Sequence, residues 1–133
     1  MSVSYAERYR GELPSFKEMT EKFYKKEVSV KDYKGFSGFF GSYAQRGGEA
    51  SMLRLRMNAG QTTKEKLKFI AESIEKHQVD KIHFTTCQTV QLHNLNAASV
   101  CEIMEAAVDA GIITMGGGGD FPRNVMCSPL TGA

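Results

Sequence analysis

The chain is poor in cysteine, in long apolar runs and in surplus charge of either sign, and each shortage removes a class of protein. Its three cysteines, Cys87, Cys101 and Cys127, lie far apart with no C-x-x-C pair. Zinc-ribbon spacing is therefore absent, and an odd, scattered set argues against a disulfide framework. A four-thiolate iron–sulfur site is beyond what this chain can ligate alone. No apolar stretch approaches membrane-spanning length, and no apolar run follows the polar start, so neither a membrane span nor a signal peptide is read. With 17 basic and 15 acidic residues the net charge is +2, too small for a global field that would draw nucleic acid or a membrane surface. A Gly-Lys-Thr phosphate loop and the Rossmann glycine spacing are also missing. The expectation is a cytoplasmic protein of 133 residues in one domain, long enough to bury a core.

The most informative stretch is Met115–Cys127, M-G-G-G-G-D-F-P-R-N-V-M-C. Gly116–Gly119 leave the backbone free to take positive φ and to approach a bound group closely. Asp120, Arg123 and Asn124 then place an acid, a fixed cation and an amide close together, and Pro122 stiffens the approach. A glycine run alone is commonly a flexible loop; the polar cluster after it points to a ligand.

Met1–Glu12 carries no pattern and reads as an extended or frayed arm. Ser15 and Glu18 form a capping box, with Phe16, Met19 and Phe23 following at helical spacing, which predicts a helix over Ser15–Lys26. Lys31–Gly35 reads as a polar connection, and the aromatic, glycine-rich Phe36–Tyr43 as a strand. A turn at Arg46-Gly47-Gly48 leads into Ser51–Met57, where Leu53, Leu55 and Met57 alternate with Met52, Arg54 and Arg56 as in a half-buried strand. Thr62 and Glu65 open a helix with the stripe Leu67, Ile70, Ala71 and Ile74, ending near His77, whose imidazole complements the helix dipole. Lys81–Thr85 and Thr89–His93 read as strands joined through Thr86-Cys87-Gln88. Asn96 caps a last helix with the stripe Val100, Ile103, Met104 and Ala107, stopped by Gly111, and Ile112–Met115 is a final strand. From Ser51 onward this is an α+β, ferredoxin-like split βαββαβ sandwich, with helices on one face of an antiparallel sheet and an N-terminal helix and aromatic strand or hairpin added. Residues 1–35 form the arm and short helix, and 36–133 the half-domain.

If helices cover Leu53, Leu55, Ile82, Phe84, Val90 and Leu92, the opposite face collects Arg54, Arg56, His83, Thr85, Gln91 and His93. On fold grounds alone such a face is usually just hydrated. Its residue types argue otherwise, since arginine, amide and imidazole donors with few acids suit an anionic ligand. His83 and His93 lack a third ligand at familiar spacing, so no metal site is read. Cys101 is a small core residue, and nothing near Cys87 in sequence makes it a thiol nucleophile beyond His83 or Arg54.

Three segments between Phe36 and Cys127 jointly resemble the N-terminal ferredoxin-like half-domain of the sirohaem-dependent nitrite and sulfite reductases. They are Met52-Leu53-Arg54-Leu55-Arg56, the run from Ile82 to His93 through Thr85-Thr86-Cys87-Gln88, and Gly116–Val125. The resemblance implies a chain that belongs to a longer reductase holding sirohaem and a [4Fe-4S] cluster, which reduces sulfite to sulfide or nitrite to ammonia. It implies that Arg54 and Arg123 face the substrate anion, and that Thr85, Thr86, Gln88, Gln91, His93 and Asn124 form part of the sirohaem surround. It also implies the reductase's remaining domains as partners, an electron donor such as ferredoxin or a flavoprotein, and cluster cysteines elsewhere in the parent. By itself the chain is expected to bind neither cofactor, to be inactive, and to self-associate through its aromatic strand, because the family pairs two such halves. Two departures stand out: Cys87 replaces an arginine that would hold a sirohaem carboxylate, and Asn58-Ala59-Gly60 replaces Pro-Gly-Gly. The other readings are a free-standing anion- or tetrapyrrole-binding module and a sheet-edge dimerisation domain without catalysis.

Overall fold

The computed structural model describes residues 4–119 and 121–131; Asp120 of the polar cluster lies outside them. Helix α1 runs Tyr5–Tyr24 and α2 Val30–Phe39, followed by strands β1 (Ser42–Ala44) and β2 (Ser51–Leu55). A 3-10 turn at Asn58–Gly60 leads to α3 (Lys64–His77), β3 (Ile82–Phe84), β4 (Val90–Leu95) and α4 (Ala97–Asp109). The four strands form one antiparallel sheet in the order β1-β2-β4-β3. The α+β, ferredoxin-like architecture expected from the sequence is therefore present, with its helical half enlarged.

The enlargement lies at the N-terminus. The expected arm is instead the first part of α1, whose capping box is Ser4 with Glu7 rather than Ser15 with Glu18. Tyr9, Phe16 and Phe23 recur every seven residues, all are buried, and this one stripe carries the helix through Pro14 and across α4. The segments expected as a polar connection and an aromatic strand also differ. Ser29 caps α2 by accepting from the Asp32 N–H at 3.1 Å, so Lys31–Gly35 is helical and Phe36–Phe39 continues the helix. The boundary drawn between residues 35 and 36 falls inside α2. Tyr33 stacks on Phe23 at 4.1 Å between centroids, and Phe36 and Phe40 both pack on Phe16. The aromatic segment is thus an internal seam, and the exposed strand expected to drive self-association is not there.

The core is closed by Leu53, Leu55, Val90, Leu92 and Leu95 from the sheet and Val100, Ile103, Met104 and Ala107 from α4, with Tyr9, Phe40, Met57, Ile70, Ile112 and Met115. Asn96 caps α4 as expected, accepting from the Ser99 N–H at 2.8 Å. At α3 the cap is Thr63, not Thr62, and it accepts from the Lys66 N–H. Two predicted core positions of that stripe, Leu67 and Ala71, are exposed. So are Ile82 and Phe84, expected under the helices: they share the face of Leu92 and Val90 across the strand pair, but between Phe84 and Leu67 of α3 an open groove remains.

The last expected strand, Ile112–Met115, is reduced to one antiparallel bridge between Ile113 and Arg56. The outer edge of β2 is already occupied. Ser42 faces Leu53 in β1, the Gly41 carbonyl accepts from the Arg54 N–H at 2.9 Å, and Ile113 takes only the next position, accepting from the Arg56 N–H. Gly41 makes this handover possible, with φ at 79° and any Cβ falling deep inside van der Waals contact with the Thr114 carbonyl. The Tyr9 hydroxyl pins the same strand remnant from the other side by bonding the buried Thr114 hydroxyl.

Imidazoles tie pH to this fold. His77 at the end of α3 bonds the Ser99 hydroxyl of α4 at 3.1 Å, so it joins two helices instead of only complementing a dipole. Burial, opposed by Glu102 and reinforced by Lys76, lowers its pKa; burial, with Lys81 and His83 and against Asp80, lowers that of His93. The unfolded chain takes up these protons from about pH 6.5, whereas the folded chain takes them up only at lower pH. The stability contributed is therefore fully present above about 6.5 and is lost as pH falls from there toward the lowered folded values. Thermal melts from pH 8 to 5 should show Tm falling on the acid side, with a shallower fall in a His77→Gln, His93→Gln double variant. An unchanged slope in that variant would show that other groups set the acid limit.

Candidate functional site

Period-two alternation along β2 puts Arg54 and Arg56 on the sheet face away from the core. Register across the sheet then builds a row, because Arg54 pairs with Gln91 and Gln91 with His83. His93 Nε2 lies 3.3 Å from the Gln91 amide oxygen, and the His83 and His93 rings are 6.4 Å apart between centroids. The polar face read from the sequence is thus assembled as a contiguous patch of donors, none of them acidic.

The glycine run folds over one end of this row. Arg54 Nη1 donates to the Gly117 carbonyl, and its guanidinium carbon stands 5.9 Å from the centre of the Tyr43 ring. The Tyr43 hydroxyl accepts from the Gly119 N–H at 2.6 Å. Gly118 must lack a side chain because a Cβ would overlap that hydroxyl. Arg56 lies beneath the run, donating from Nη1 to the Met115 carbonyl at 2.9 Å, while its Nε is buried without an acceptor among the described residues.

The charge of Arg123 acts on Arg54. Burial lowers the Arg54 pKa; the Tyr43 ring works against that shift, and the like charge of Arg123 adds to it. Arg123 is exposed while Arg54 is half-buried, so one cation is held in a wall and the other faces solvent. Two guanidinium groups placed this way repel each other unless an anion lies between them.

The turn residues divide into two groups. Thr85 and Thr89 share a hydroxyl hydrogen bond of 2.7 Å, and the Gln88 N–H closes the turn on the Thr85 carbonyl at 3.0 Å. That leaves Thr86 exposed at its tip and Cys87 half-buried. Gln88 and Asn124 direct their amides inward. Gln88 Nε2 donates to the Cys127 carbonyl at 2.7 Å and its Oε1 accepts from the Cys127 N–H at 3.1 Å. Asn124 Nδ2 reaches the carbonyls of Met57 at 2.8 Å, Cys87 at 2.9 Å and Gln88 at 3.2 Å. Both side chains therefore clasp the C-terminal segment to the turns after β2 and β3. Of the eight residues expected around a ligand, Arg54, Gln91 and His93 line the sheet face, Arg123 and Thr86 are exposed, Thr85 hydrogen-bonds within the turn, and Gln88 and Asn124 shape the wall. Tyr43 belongs to the same site and was missed, because its segment read as an aromatic strand with no distinguishing partner.

Residues 43–110 match the model of the nitrite/sulfite reductase ferredoxin-like half domain. The chain belongs to that family. It is 31% identical over 140 residues to the assimilatory ferredoxin-dependent nitrite reductase of Haloferax mediterranei, a match that covers 96% of this chain and 24% of that protein. It is also 35% identical over 78 residues to the NADPH sulfite reductase hemoprotein beta-component of Geobacillus thermodenitrificans, covering 59% of this chain and 14% of that one. The Mycobacterium tuberculosis NirA protein has the same fold, with a TM-score of 0.72 at 22% identity over 99% of this chain and 28% of its own. The chain therefore spans about a quarter or less of the length of these relatives.

Within the half domain, the family match contains Tyr43, Arg54, Thr85, Thr86, Gln88, Gln91 and His93, and ends before the glycine run with Arg123 and Asn124. The elements that lie inside it, β2 to α4, form the βαββα part of the frame, and the Ile113 bridge left of its last strand lies after it. Helices α1 and α2 lie before it, and the loop that folds over Arg54 lies after it.

Proposed function

We propose that this half domain forms one wall of the sirohaem and oxyanion site of a nitrite or sulfite reductase, and that Arg54 and Arg123 hold the oxyanion. The observation that carries the reading is the half-buried Arg54 at the end of a donor row roofed by glycine backbone, with the like charge of Arg123 acting on it. Two cations whose like charges act on each other gain from a small anion between them, and arginine's planar fork suits an oxyanion.

The residues present fit sirohaem, a polycarboxylate. Gln91, His93 and the Thr86 hydroxyl offer neutral donors along its edge, the unpartnered Nε of Arg56 lies under the glycine run, and no acid on the row opposes them. When bound, sirohaem supplies the iron at which electrons reach the oxyanion. This chain's own residues orient and neutralise the anion through Arg54 and Arg123, hold carboxylates along the row, and shape the wall through Gln88 and Asn124. The [4Fe-4S] cluster, the electron donor and the other walls of the site belong to the remaining domains of the parent.

Cys87 offers a check on how far the site matches this chemistry. It is half-buried in the turn after β3, and an arginine there would add a carboxylate partner. Cys87→Arg in the parent reductase should raise the sirohaem content of the purified protein; a lower content would identify cysteine as the adapted residue.

The reading is tested by purifying the product of the whole reading frame that encodes this chain. Its sirohaem content and its reduction of nitrite and of sulfite by a chemical electron donor would then be measured. Bound sirohaem with turnover of either anion is the expected result. A product that carries no tetrapyrrole and reduces neither anion would contradict it and favour an anion-binding module.

A further inference from the structure

Tyr43 stands where the glycine run, β2 and the end of α2 meet. Its ring faces the Arg54 guanidinium, whose carbon is 5.9 Å from the ring centre, and its hydroxyl accepts from the Gly119 N–H at 2.6 Å. Arg54 in turn donates to the Gly117 carbonyl, so tyrosine and arginine grip the same run two residues apart. The run is railed on its other side. The Gly116 N–H donates to the Phe39 carbonyl at 2.6 Å and the Gly117 N–H to the Thr114 carbonyl at 2.9 Å. Gly38 of α2 lies so close that a Cβ there would come within 3.3 Å of the Gly119 nitrogen and 3.5 Å of the Tyr43 ring. Phe121 leaves the run against Phe39, with ring centres 5.2 Å apart. Gly116 and Gly117 thus donate to backbone, whereas Gly119 donates to a side chain, the Tyr43 hydroxyl.

From this we infer that Tyr43 is a positioning residue: its hydroxyl latches the glycine run over Arg54, and its ring and the latched run together fix the direction in which the Arg54 fork meets the oxyanion. The need for such a device lies in arginine itself. A guanidinium on a flexible stem presents its planar fork to a ligand in one orientation only if something sets that plane, and small misplacements of a binding group are costly. Here Nη1 is committed to the Gly117 carbonyl, and that carbonyl keeps its place only while the run beyond it does. Without the hydroxyl, the Gly119 N–H loses its acceptor, and glycines that have no side chains to anchor them regain their backbone freedom. The hydroxyl therefore acts on the oxyanion through Arg54 and not by touching it. In that link to the oxyanion the inference rests on the reading given above; the latch itself does not.

Tyr43→Phe tests it, since the ring opposite Arg54 is kept and only the hydroxyl goes. In the 133-residue chain, amide exchange at Gly119 should speed up about tenfold, the scale of one lost hydrogen bond, while the Gly116 amide keeps its rate. Rotation of the Arg54 guanidinium, read by NMR of its side-chain nitrogens, should quicken in the same variant. In the parent reductase, Tyr43→Phe should retain the sirohaem and lower kcat/KM for the oxyanion about tenfold. Combined with Arg54→Ala it should cost nothing further, because the tyrosine acts through that arginine. Unchanged exchange at Gly119 with unchanged rotation of Arg54 would overturn the latch. A double variant slower than Arg54→Ala by the whole Tyr43 factor would overturn the positioning role and give the hydroxyl a contact of its own. A parent without sirohaem or turnover would defeat the oxyanion reading and the link to the anion with it, while the measurements on the 133-residue chain would still decide the latch.

Discussion

Replacing either Arg54 or Arg123 with alanine in the parent reductase should lower turnover of its oxyanion at least about tenfold, the scale of losing a charge-assisted contact of roughly 1.5–3 kcal/mol. The two variants should differ in character. Arg54 is half-buried, bonded to the Gly117 carbonyl and flanked by Tyr43, so its loss also frees the glycine run and should depress kcat along with affinity. Arg123 is exposed and makes the simpler contribution of charge, so a lysine there should recover part of the activity. At Arg54 a lysine cannot both face the Tyr43 ring and reach Gly117 while presenting a fork to the anion. The double variant should lose less than the sum of the two, because one anion couples them. Unchanged steady-state kinetics in both single variants would remove the assignment.

A second large effect is expected far from any ligand. Gly41→Ala should destabilise the fold by about 3 kcal/mol or more, combining a left-handed backbone that alanine resists with a clash against backbone that cannot move aside. The oxygen it would strike belongs to Thr114, whose hydroxyl is held by Tyr9. That oxygen also accepts the Gly117 N–H at 2.9 Å, so the damage spreads into the loop over Arg54. Denaturant unfolding of the isolated chain measures the loss directly. Tyr9→Phe removes one partner of the buried hydroxyl pair and should cost about 1–3 kcal/mol. A Gly41→Ala variant as stable as the parent would mean that the handover along β2 is looser than described.

The polar row was legible in the sequence because it depends on strand periodicity alone. Arg54, Gln91 and His93 alternate with residues that are unmistakably core, and two-residue alternation fixes their face whatever the strand order. Asn96, Gly111 and the end of α3 were readable for a similar reason, each being a local signal. The misread elements are those whose state is set by distant partners. Tyr9 could not be assigned to a helix without α4 to pack on, and Phe36 looked like a strand residue until Phe16 claimed it. Ile82 and Phe84 alternate as core residues do, yet they lie on an edge strand and are exposed. Gln88 and Asn124 carry suitable chemistry for a ligand, and only the path of the C-terminal segment shows their amides turned to its backbone. Element order carried the fold and the family resemblance the expected parentage; geometry separated side chains on the open sheet face from those turned to the backbone of the C-terminal segment.

The most direct test of the oxyanion assignment is a crystal structure of the sirohaem-loaded reductase containing this chain, with sulfite or nitrite bound. The account predicts Arg54 and Arg123 both within hydrogen-bond distance of one oxyanion, with Gln88 and Asn124 still bonded to the backbone of the C-terminal segment. Guanidinium groups directed to opposite sides of the half domain, or an anion held entirely by residues outside this chain, would contradict it.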